Sequence, residues 1–180
     1  DTICDLFAVN VQKAKKGIRP GVSFEMFSGV PSSISVAEHG KDMFIPIPGL
    51  YSIENGLITF AICSLMGLSS DFIAEQMAKL TIAGRFETVE LENRPNTLFV
   101  IDYAHNGASL RAVLRSLREY DPKRIIVLFG SVGGRTFGRR AELGRAAGED
   151  ADVIILTSDN PDNELPEIII NEIPPTLSTV

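Results

Sequence analysis

Three short polar segments follow apolar runs that predict buried β-strands, and their side chains could bind a ligand. The first, Asp102-Tyr103-Ala104-His105-Asn106, follows Val100-Ile101. A carboxylate, a phenol and an imidazole at one strand end could hold a sugar or a phosphate, since open α/β sheets bind ligands beyond the carboxyl ends of their strands. The alternative is a structural helix entry, with Asn106 as N-cap and His105 packed as a polar residue.

The second segment is the Gly-rich loop of residues 130–136, with the sequence GSVGGRT. Main-chain N–H groups of such a loop can bind an anion, although the glycines fit neither G-x-G-x-x-G nor the P-loop pattern. A simple tight turn is the alternative. Arg135, Arg139 and Arg140 favour an anionic ligand, because arginine pairs with carboxylate and phosphate through two parallel hydrogen bonds.

The third segment, residues 157–164, has the sequence TSDNPDNE. Its three carboxylates predict a polar pocket that faces an amino or amide group. The alternative is an ordinary turn, in which Asp162 or Asn163 caps a helix that begins near Glu164.

The apolar pattern of the second half predicts alternating strands and helices that would position these segments. Strands without a polar face, separated by helices, indicate a Rossmann-like α/β domain with a mostly parallel sheet. The predicted strands are 97–101, 125–129 and 153–156, preceded by a strand at 86–91 that carries charges on one face. The predicted helices are 106–120, 139–149 and 164–173. Arg111, Arg115 and Arg118 lie opposite the apolar stripe of their helix, which favours a solvated face.

The first half predicts an antiparallel meander followed by two helices. Its predicted strands are 5–11, 22–27, 33–36 and 43–49, with a basic turn at 13–20, and its helices run from 53 to Gly67 and from a Ser70-Asp71 cap to 80. The change of pattern places a domain boundary between residues 83 and 84. The predicted domains are therefore 1–83 and 84–180.

Composition excludes several classes of protein. The chain has 180 residues, of which 44% are hydrophobic and 22% charged, so it can bury a core. A net charge of −6 argues against nucleic-acid or membrane-surface binding. No apolar run approaches the ~18 residues of a membrane span, and no signal peptide is visible. Cys4 and Cys63 lack a partner motif, which predicts free thiols and no metal site.

Taken together and in order, four segments resemble the Mur ligase family. Residues 45–57 resemble the stretch that ends the sheet of the central domain and opens a helix, and Gly84-Arg85-Phe86-Glu87 resembles the domain-junction motif. Asp102-Tyr103-Ala104-His105 resembles the nucleotide motif, and Asp159-Asn160-Pro161 the amino-acid-selecting motif. The resemblance covers nearly the whole chain. It implies the end of the central domain plus most of the C-terminal domain.

The resemblance further implies a reaction. The family branch uses ATP and Mg²⁺ to convert the terminal carboxylate of UDP-N-acetylmuramoyl-L-alanyl-D-glutamate into an acyl phosphate, which a diamino acid attacks. The family's UDP-binding domain, P-loop lysine, magnesium-binding glutamate and carbamylated lysine are absent from these 180 residues. We therefore expect no catalytic residue in this segment and no activity from it alone. The parent would be a cytoplasmic monomer with no nucleic-acid or membrane partner.

By the same resemblance, Asn55 would contact adenine and Asp102 the ribose, with Arg85 and His105 near the ribose and phosphates. Arg135 and Asn160 would bind the carboxylate of the incoming diamino acid, although the loop lacks the acid that the family often places before this arginine.

Asp162 stands where ligases that select meso-diaminopimelate carry arginine. A carboxylate cannot pair with the second carboxylate of meso-diaminopimelate but suits the ammonium of lysine, so L-lysine is the predicted amino acid.

Three alternatives bear on function. Folylpolyglutamate synthetase belongs to the same superfamily, but Asp159-Asn160-Pro161 argues against it. A nicotinamide-dependent oxidoreductase would need a G-x-G-x-x-G followed ~20 residues later by an acid, which the chain lacks. A non-catalytic nucleotide-binding module stays open.

Overall fold

The computed structural model describes residues 5–29, 34, 40–134 and 137–173. These residues form seven strands and five helices. The chain divides into two compact units, Asp1–Asp102 and Tyr103–Val180.

The first unit opens with a three-stranded antiparallel sheet, formed by β1 (Leu6–Lys16), β2 (Arg19–Ser28) and β3 (Lys41–Ile45) in that order. The predicted meander is therefore confirmed. The predicted basic turn at 13–20 is wrong, because β1 runs on to Lys16 and only Gly17 and Ile18 separate it from β2. Gly17 has φ +64°, a conformation that glycine adopts without steric cost, so two residues suffice for the turn. The predicted strand at 33–36 lies outside the described residues, apart from Ile34.

Two helices pack on this sheet, α1 (Leu50–Leu65) and α2 (Ser70–Met77). Gly67, with φ +88°, follows the end of α1 as predicted. The cap of α2 is Ser69, whose side chain accepts from the Phe72 N–H, so the Ser70-Asp71 cap is off by one residue. The core contains Val22, Phe24, Met26, Met43, Ile45, Ile53, Phe60, Ile73 and Met77, with the free thiol of Cys63 packed against it.

An antiparallel pair of strands, β4 (Glu87–Glu90) and β5 (Leu98–Ile101), completes the first unit. Arg19 Nε of β2 lies 2.5 Å from Glu90 Oε1 of β4, which ties the pair to the meander. The compact units consequently divide after Asp102, whereas the composition changes between residues 83 and 84. The boundary at 83/84 stays a prediction.

The second unit alternates helices and strands as predicted. Its elements are α3 (Gly107–Arg118), β6 (Ile126–Phe129), α4 (Phe137–Asp150), β7 (Val153–Leu156) and α5 (Pro166–Asn171). Strands β6 and β7 pair in parallel, and the buried core between them and α3 and α4 contains Leu110, Leu114, Ile125, Leu143, Ala146 and Ala147. The α/β fold class, with an antiparallel part before it, is thereby confirmed. The proline pair predicted to end the last helix, at 174–175, lies outside the described residues.

The arginines of α3 are paired rather than merely solvated. Their partners stand at or just after the end of α4: Arg111 with Glu149 (2.8 Å), Arg115 with Asp150 (3.2 Å) and Arg118 with Asp152 (2.9 Å). Side-chain exposures of 30%, 60% and 41% for these arginines confirm that the face reaches water. The prediction missed the ion pairs because their acids lie 34 or more residues away in sequence, at or just after the end of α4.

Acid is expected to weaken the second unit through Asp152. Its Oδ2 accepts from the Ile125 N–H (2.6 Å) and from Arg118 Nη2 (2.9 Å). The backbone hydrogen bond, followed by Arg118, lowers the pKa of this carboxyl from 3.8. A carboxyl whose pKa is lower in the folded state stabilises fully above its unfolded value and loses that contribution as the pH falls through its folded value. Urea unfolding midpoints from about pH 2.5 to 7 should show this loss below about pH 4, and Asp152→Asn should flatten it. Glu167→Gln, at an exposed carboxyl, is the control. If the unfolding midpoint falls equally at low pH in both variants, Asp152 is not the group responsible.

Candidate functional site

In the first unit, the candidate nucleotide residue Asn55 lies exposed on α1, one turn after Tyr51. Residues four apart share a helix face, so the amide of Asn55 and the phenol of Tyr51 point to the same side of α1. Partial burial raises the pKa of the Tyr51 phenol, and the negative charge of Asp102 raises it further. This face of α1 therefore lies within electrostatic reach of Asp102. Sequence reasoning missed Tyr51, although its spacing from Asn55 was a usable signal.

The carboxylate of Asp102 is anchored on the segment that precedes β4. Its Oδ2 accepts from the Phe86 N–H at 2.7 Å. Phe86 is buried and has φ +46°, a strained conformation for a bulky residue, and the bond to Asp102 helps to hold it. The Gly84 N–H donates to Glu87 Oε2 at 2.9 Å, which closes the same turn. Asp102 and the Gly84–Glu87 motif, separate in sequence, thus form one structure, on which Arg85 is exposed.

His105 lies in the second unit, where it precedes α3. Its Nδ1 is 3.0 Å from the Tyr103 carbonyl oxygen, and the centroids of the His105 and Tyr103 rings are 5.1 Å apart. Asn106 caps α3: its Oδ1 accepts from the Ser109 N–H at 2.9 Å, and Ser109 Oγ accepts in return from the Asn106 N–H. The alternative of a capped helix entry is therefore confirmed for Asn106. His105 is exposed rather than packed, so its ring is accessible to a ligand.

The other two predicted strand-end segments meet. The Gly133 N–H donates to the Asn160 carbonyl oxygen at 2.9 Å. A Cβ at Gly133 would lie 1.9 Å from the Pro161 carbonyl oxygen, and one at Gly130 would lie 2.6 Å from the Thr157 carbonyl oxygen. Only glycine fits at such separations. The glycines thus serve the approach of two backbones, and the loop is not a simple tight turn.

Asn160 and Asp162 are exposed on the second of these loops. Asp162 has φ +51°, and a Cβ at Gly134 would lie 2.7 Å from its Oδ2, so its carboxylate is directed toward the Gly-rich loop. The prediction that Asp162 or Asn163 caps the last helix is wrong: Leu165 is the N-cap of α5 and Pro166 the first helical residue. Proline at the first helical position supplies a preset φ and removes one of the unpaired N–H groups of that turn, and Leu165 makes no side-chain cap hydrogen bond. Arg135 lies outside the described residues.

Glu164, predicted only as one of three carboxylates of a polar pocket, has a structural role of its own. Its Oε1 accepts from the Gly134 N–H at 2.6 Å, and both its oxygens pair with Arg140 Nη2, at 2.8 and 2.9 Å. These partners, Arg140 first and the Gly134 N–H second, lower the pKa of Glu164. Of the three carboxylates predicted to make the pocket acidic, Glu164 is therefore neutralised by an internal cation.

The described part of the chain shows no group of three or more histidine, cysteine, aspartate or glutamate side chains arranged to hold a metal ion. In the same residues, no helix is long and apolar enough to cross a membrane.

Comparison with known proteins finds a matching family. Residues 84–179, more than half of the chain, match the family described as "Mur ligase, glutamate ligase domain". The UDP-N-acetylmuramoyl-L-alanyl-D-glutamate--2,6-diaminopimelate ligase of Caldanaerobacter subterraneus subsp. tengcongensis is 37% identical over 146 residues, which make up 81% of this chain and 30% of that protein. The chain spans about a third of the length of such relatives.

Two solved structures extend the comparison. The structure of a ligase with the same name is 27% identical and superposes with a TM-score of 0.57, covering 94% of this chain and 32% of that one. Mycobacterium tuberculosis folylpolyglutamate synthase, complexed with ADP and AMPPCP, is 20% identical with a TM-score of 0.64, covering 95% of this chain and 37% of that one. At that identity the second likeness shows the fold alone.

Proposed function

The chain belongs to the Mur ligase family, and we propose that it is part of an ATP-dependent ligase that adds the third amino acid to UDP-N-acetylmuramoyl-L-alanyl-D-glutamate in peptidoglycan synthesis. The observation that carries the proposal is the joining of the Gly-rich loop, residues 130–134, to the loop of residues 157–164, within the matched region. Both loops follow parallel strands at the edge where α/β domains bind ligands. The parent enzyme would work in the cytoplasm as a monomer.

The residues of the first unit suit a nucleoside. Asp102 uses one oxygen to accept from Phe86, and a carboxylate can accept further hydrogen bonds, such as those of ribose hydroxyls. The exposed amide of Asn55 offers a donor and an acceptor to adenine, on the same face of α1 as Tyr51. ATP supplies the phosphoryl group that activates the substrate carboxylate. We assign Arg85 to the ribose and phosphates. The family resemblance gives the same role to His105 of the second unit, and that role stays a prediction.

Magnesium does not fit the described residues, since they hold no cluster of ligands for it. Its ligands would belong to the other two thirds of the parent enzyme. The chemical step is accordingly assigned to no residue of this segment.

The 180-residue chain alone is expected to have no ligase activity, because phosphoryl transfer depends on a P-loop and Mg²⁺ that it lacks. Its affinity for ATP should be weak and should exceed its affinity for NAD. Titrations of the purified chain with ATP and NAD, beside a turnover assay with UDP-N-acetylmuramoyl-L-alanyl-D-glutamate, test both statements. A preference for NAD would refute the ligase proposal. ATP turnover that depends on the dipeptide substrate would refute the assignment of catalysis elsewhere.

The amino acid is proposed to be L-lysine, on the strength of Asp162. The relatives reported above are named for 2,6-diaminopimelate, so the lysine proposal departs from their names and rests on Asp162 alone. A second substrate carboxylate brought close to Asp162 without a cation would cost at least ~1 kcal/mol even in a solvent-like dielectric. Lysine would place an ammonium there instead.

Exchange of Asp162 should therefore change the preference. The full-length ligase is expected to favour L-lysine, and Asp162→Arg to shift kcat/KM toward meso-diaminopimelate by about tenfold or more. The matched control is Asn163→Arg, one residue further along the exposed turn. A parent that prefers meso-diaminopimelate, or an Asp162→Arg enzyme with unchanged preference, would show the lysine proposal to be wrong.

A further inference from the structure

An arginine is buried beneath the two joined loops. The Arg140 side chain on α4 is 1% exposed, yet it carries a full positive charge. Its Nη2 pairs with both oxygens of Glu164, and its Nη1 lies 2.5 Å from Glu172 Oε2, just after α5. The guanidinium thus connects α4 to both ends of the segment that contains α5.

Glu164 extends this connection to the Gly-rich loop, through the hydrogen bond from the Gly134 N–H. The Glu164 carboxylate therefore joins three parts of the second unit: the end of the 130–134 loop, the end of the 157–164 loop and the first turn of α4. Gly134 directly precedes Arg135, and Glu164 closes the loop that carries Asn160 and Asp162. The pair lies behind the proposed amino-acid site rather than in it.

Stability alone does not account for such a pair. The desolvation cost of burying the Arg140 guanidinium consumes much of its attraction to the partly exposed Glu164 carboxylate, and apolar residues of similar volume often stabilise a protein as well or better. What a planar guanidinium adds is direction, because its terminal nitrogens have a fixed geometry: Nη2 holds the Glu164 carboxylate while Nη1 holds that of Glu172. Such a directional interaction suits a site in which the 130–134 and 157–164 loops must stay at a fixed distance from each other.

We propose that Arg140 and Glu164 are positioning residues that hold the 130–134 and 157–164 loops at the separation needed to bind the incoming amino acid. The identity of the substrate rests on the proposed function. The separation of the two loops can be tested in the chain alone. Neither side chain is assigned a contact with the substrate.

Amide hydrogen exchange of the 180-residue chain tests the geometry. In Glu164→Ala, the Gly134 amide and the amides of residues 157–164 should exchange about tenfold faster or more, since the loop loses its acceptor. Glu164→Gln keeps an acceptor of the same size and should restore part of the protection, which makes it the variant to use if Glu164→Ala does not fold. Arg145→Gln, an arginine on the same helix and exposed, should leave these amides unchanged. Wild-type exchange at Gly134 in Glu164→Ala would overturn the proposal.

Kinetics of the full-length ligase test the consequence. Glu164→Gln and Arg140→Lys should raise KM for the amino acid about tenfold or more, while KM for ATP stays within about twofold, because loss of position weakens binding of one substrate. A loss of stability alone would lower the active fraction and leave both KM values unchanged. Unchanged KM for the amino acid in an active enzyme overturns the proposal. A wild-type enzyme that ligates neither amino acid refutes the proposed function instead, and the exchange experiment then decides the positioning role.

Discussion

Gly133→Ala is expected to lower the amino-acid-dependent turnover of the full-length ligase by about 100-fold, the loss typical of a misplacement of about 1 Å in a binding group. The added Cβ would lie 1.9 Å from the Pro161 carbonyl oxygen and 2.6 Å from its carbonyl carbon. Both are backbone atoms, so no side-chain rotation relieves the clash. The Gly133–Asn160 hydrogen bond must then lengthen, and the loop that carries Asn160 and Asp162 must move.

The measurement is kcat/KM for the amino acid, with KM for ATP as an internal reference. Gly138→Ala is the matched control, because a Cβ at Gly138 meets nothing within 4 Å and the residue lies in α4. Alanine at this helical position should stabilise the protein by about 0.5–1 kcal/mol and leave kcat/KM unchanged. Equal kinetics for the Gly133 and Gly138 variants would contradict the close approach of the two loops.

The role of Gly133 illustrates what the sequence could and could not predict. The order of strands and helices in the second unit followed from apolar periodicity, and β7 was predicted to the residue, at 153–156. Periodicity shows that 130–136 links a strand to a helix. It does not show which backbone approaches the loop, because that backbone is contributed by residues nearly 30 positions away. The glycines therefore remained compatible with an anion site or a simple turn until the structure placed Pro161 against Gly133.

The partners of the charged residues were predicted less well than the helices and strands, again because the partners are distant in sequence. Glu164 was counted with Asp159 and Asp162 as one acidic pocket, since all three stand within six residues. In the structure Glu164 forms an ion pair with Arg140, an arginine that the sequence analysis had taken to favour an anionic ligand. Composition reports how many charges a segment contains. Only the tertiary structure reports which of them are already satisfied inside the protein.

Family resemblance identified two motifs whose contact the apolar periodicity does not predict. Asp102 and the Gly84–Glu87 motif were identified by resemblance and lie against each other in the structure. Their contact depends on the positive φ of Phe86, which no pattern of apolar residues predicts. Tyr51, whose phenol pKa the charge of Asp102 raises, lies within the 45–57 segment, but the sequence analysis did not single it out.

Phe60→Ala is expected to destabilise the first unit by about 3–5 kcal/mol, the usual cost of truncating a buried aromatic side chain. Phe60 is fully buried, on the face of α1 that packs with Met26 and Ile45 of the sheet. Its neighbourhood cannot collapse easily to fill the cavity, because α1 already lies close to β3: a Cβ at Gly56 would lie 2.4 Å from Ile45 Cδ1. The truncation therefore leaves a void instead of a repacked core.

Urea unfolding followed by far-UV circular dichroism, with amide exchange of β2 to separate the two units, measures this loss. Ile58→Ala is the control: the side chain lies on the same helix but is 60% exposed, so the change should stay within about 0.5 kcal/mol. A cost below about 1 kcal/mol for Phe60→Ala would mean that α1 is not anchored through this residue. Since α1 also carries Asn55, the substitution should weaken ATP binding by the full-length ligase before the enzyme unfolds globally, whereas Ile58→Ala should not. The core of the first unit would then support the proposed adenine contact by fixing the helix from which Asn55 reaches the nucleotide.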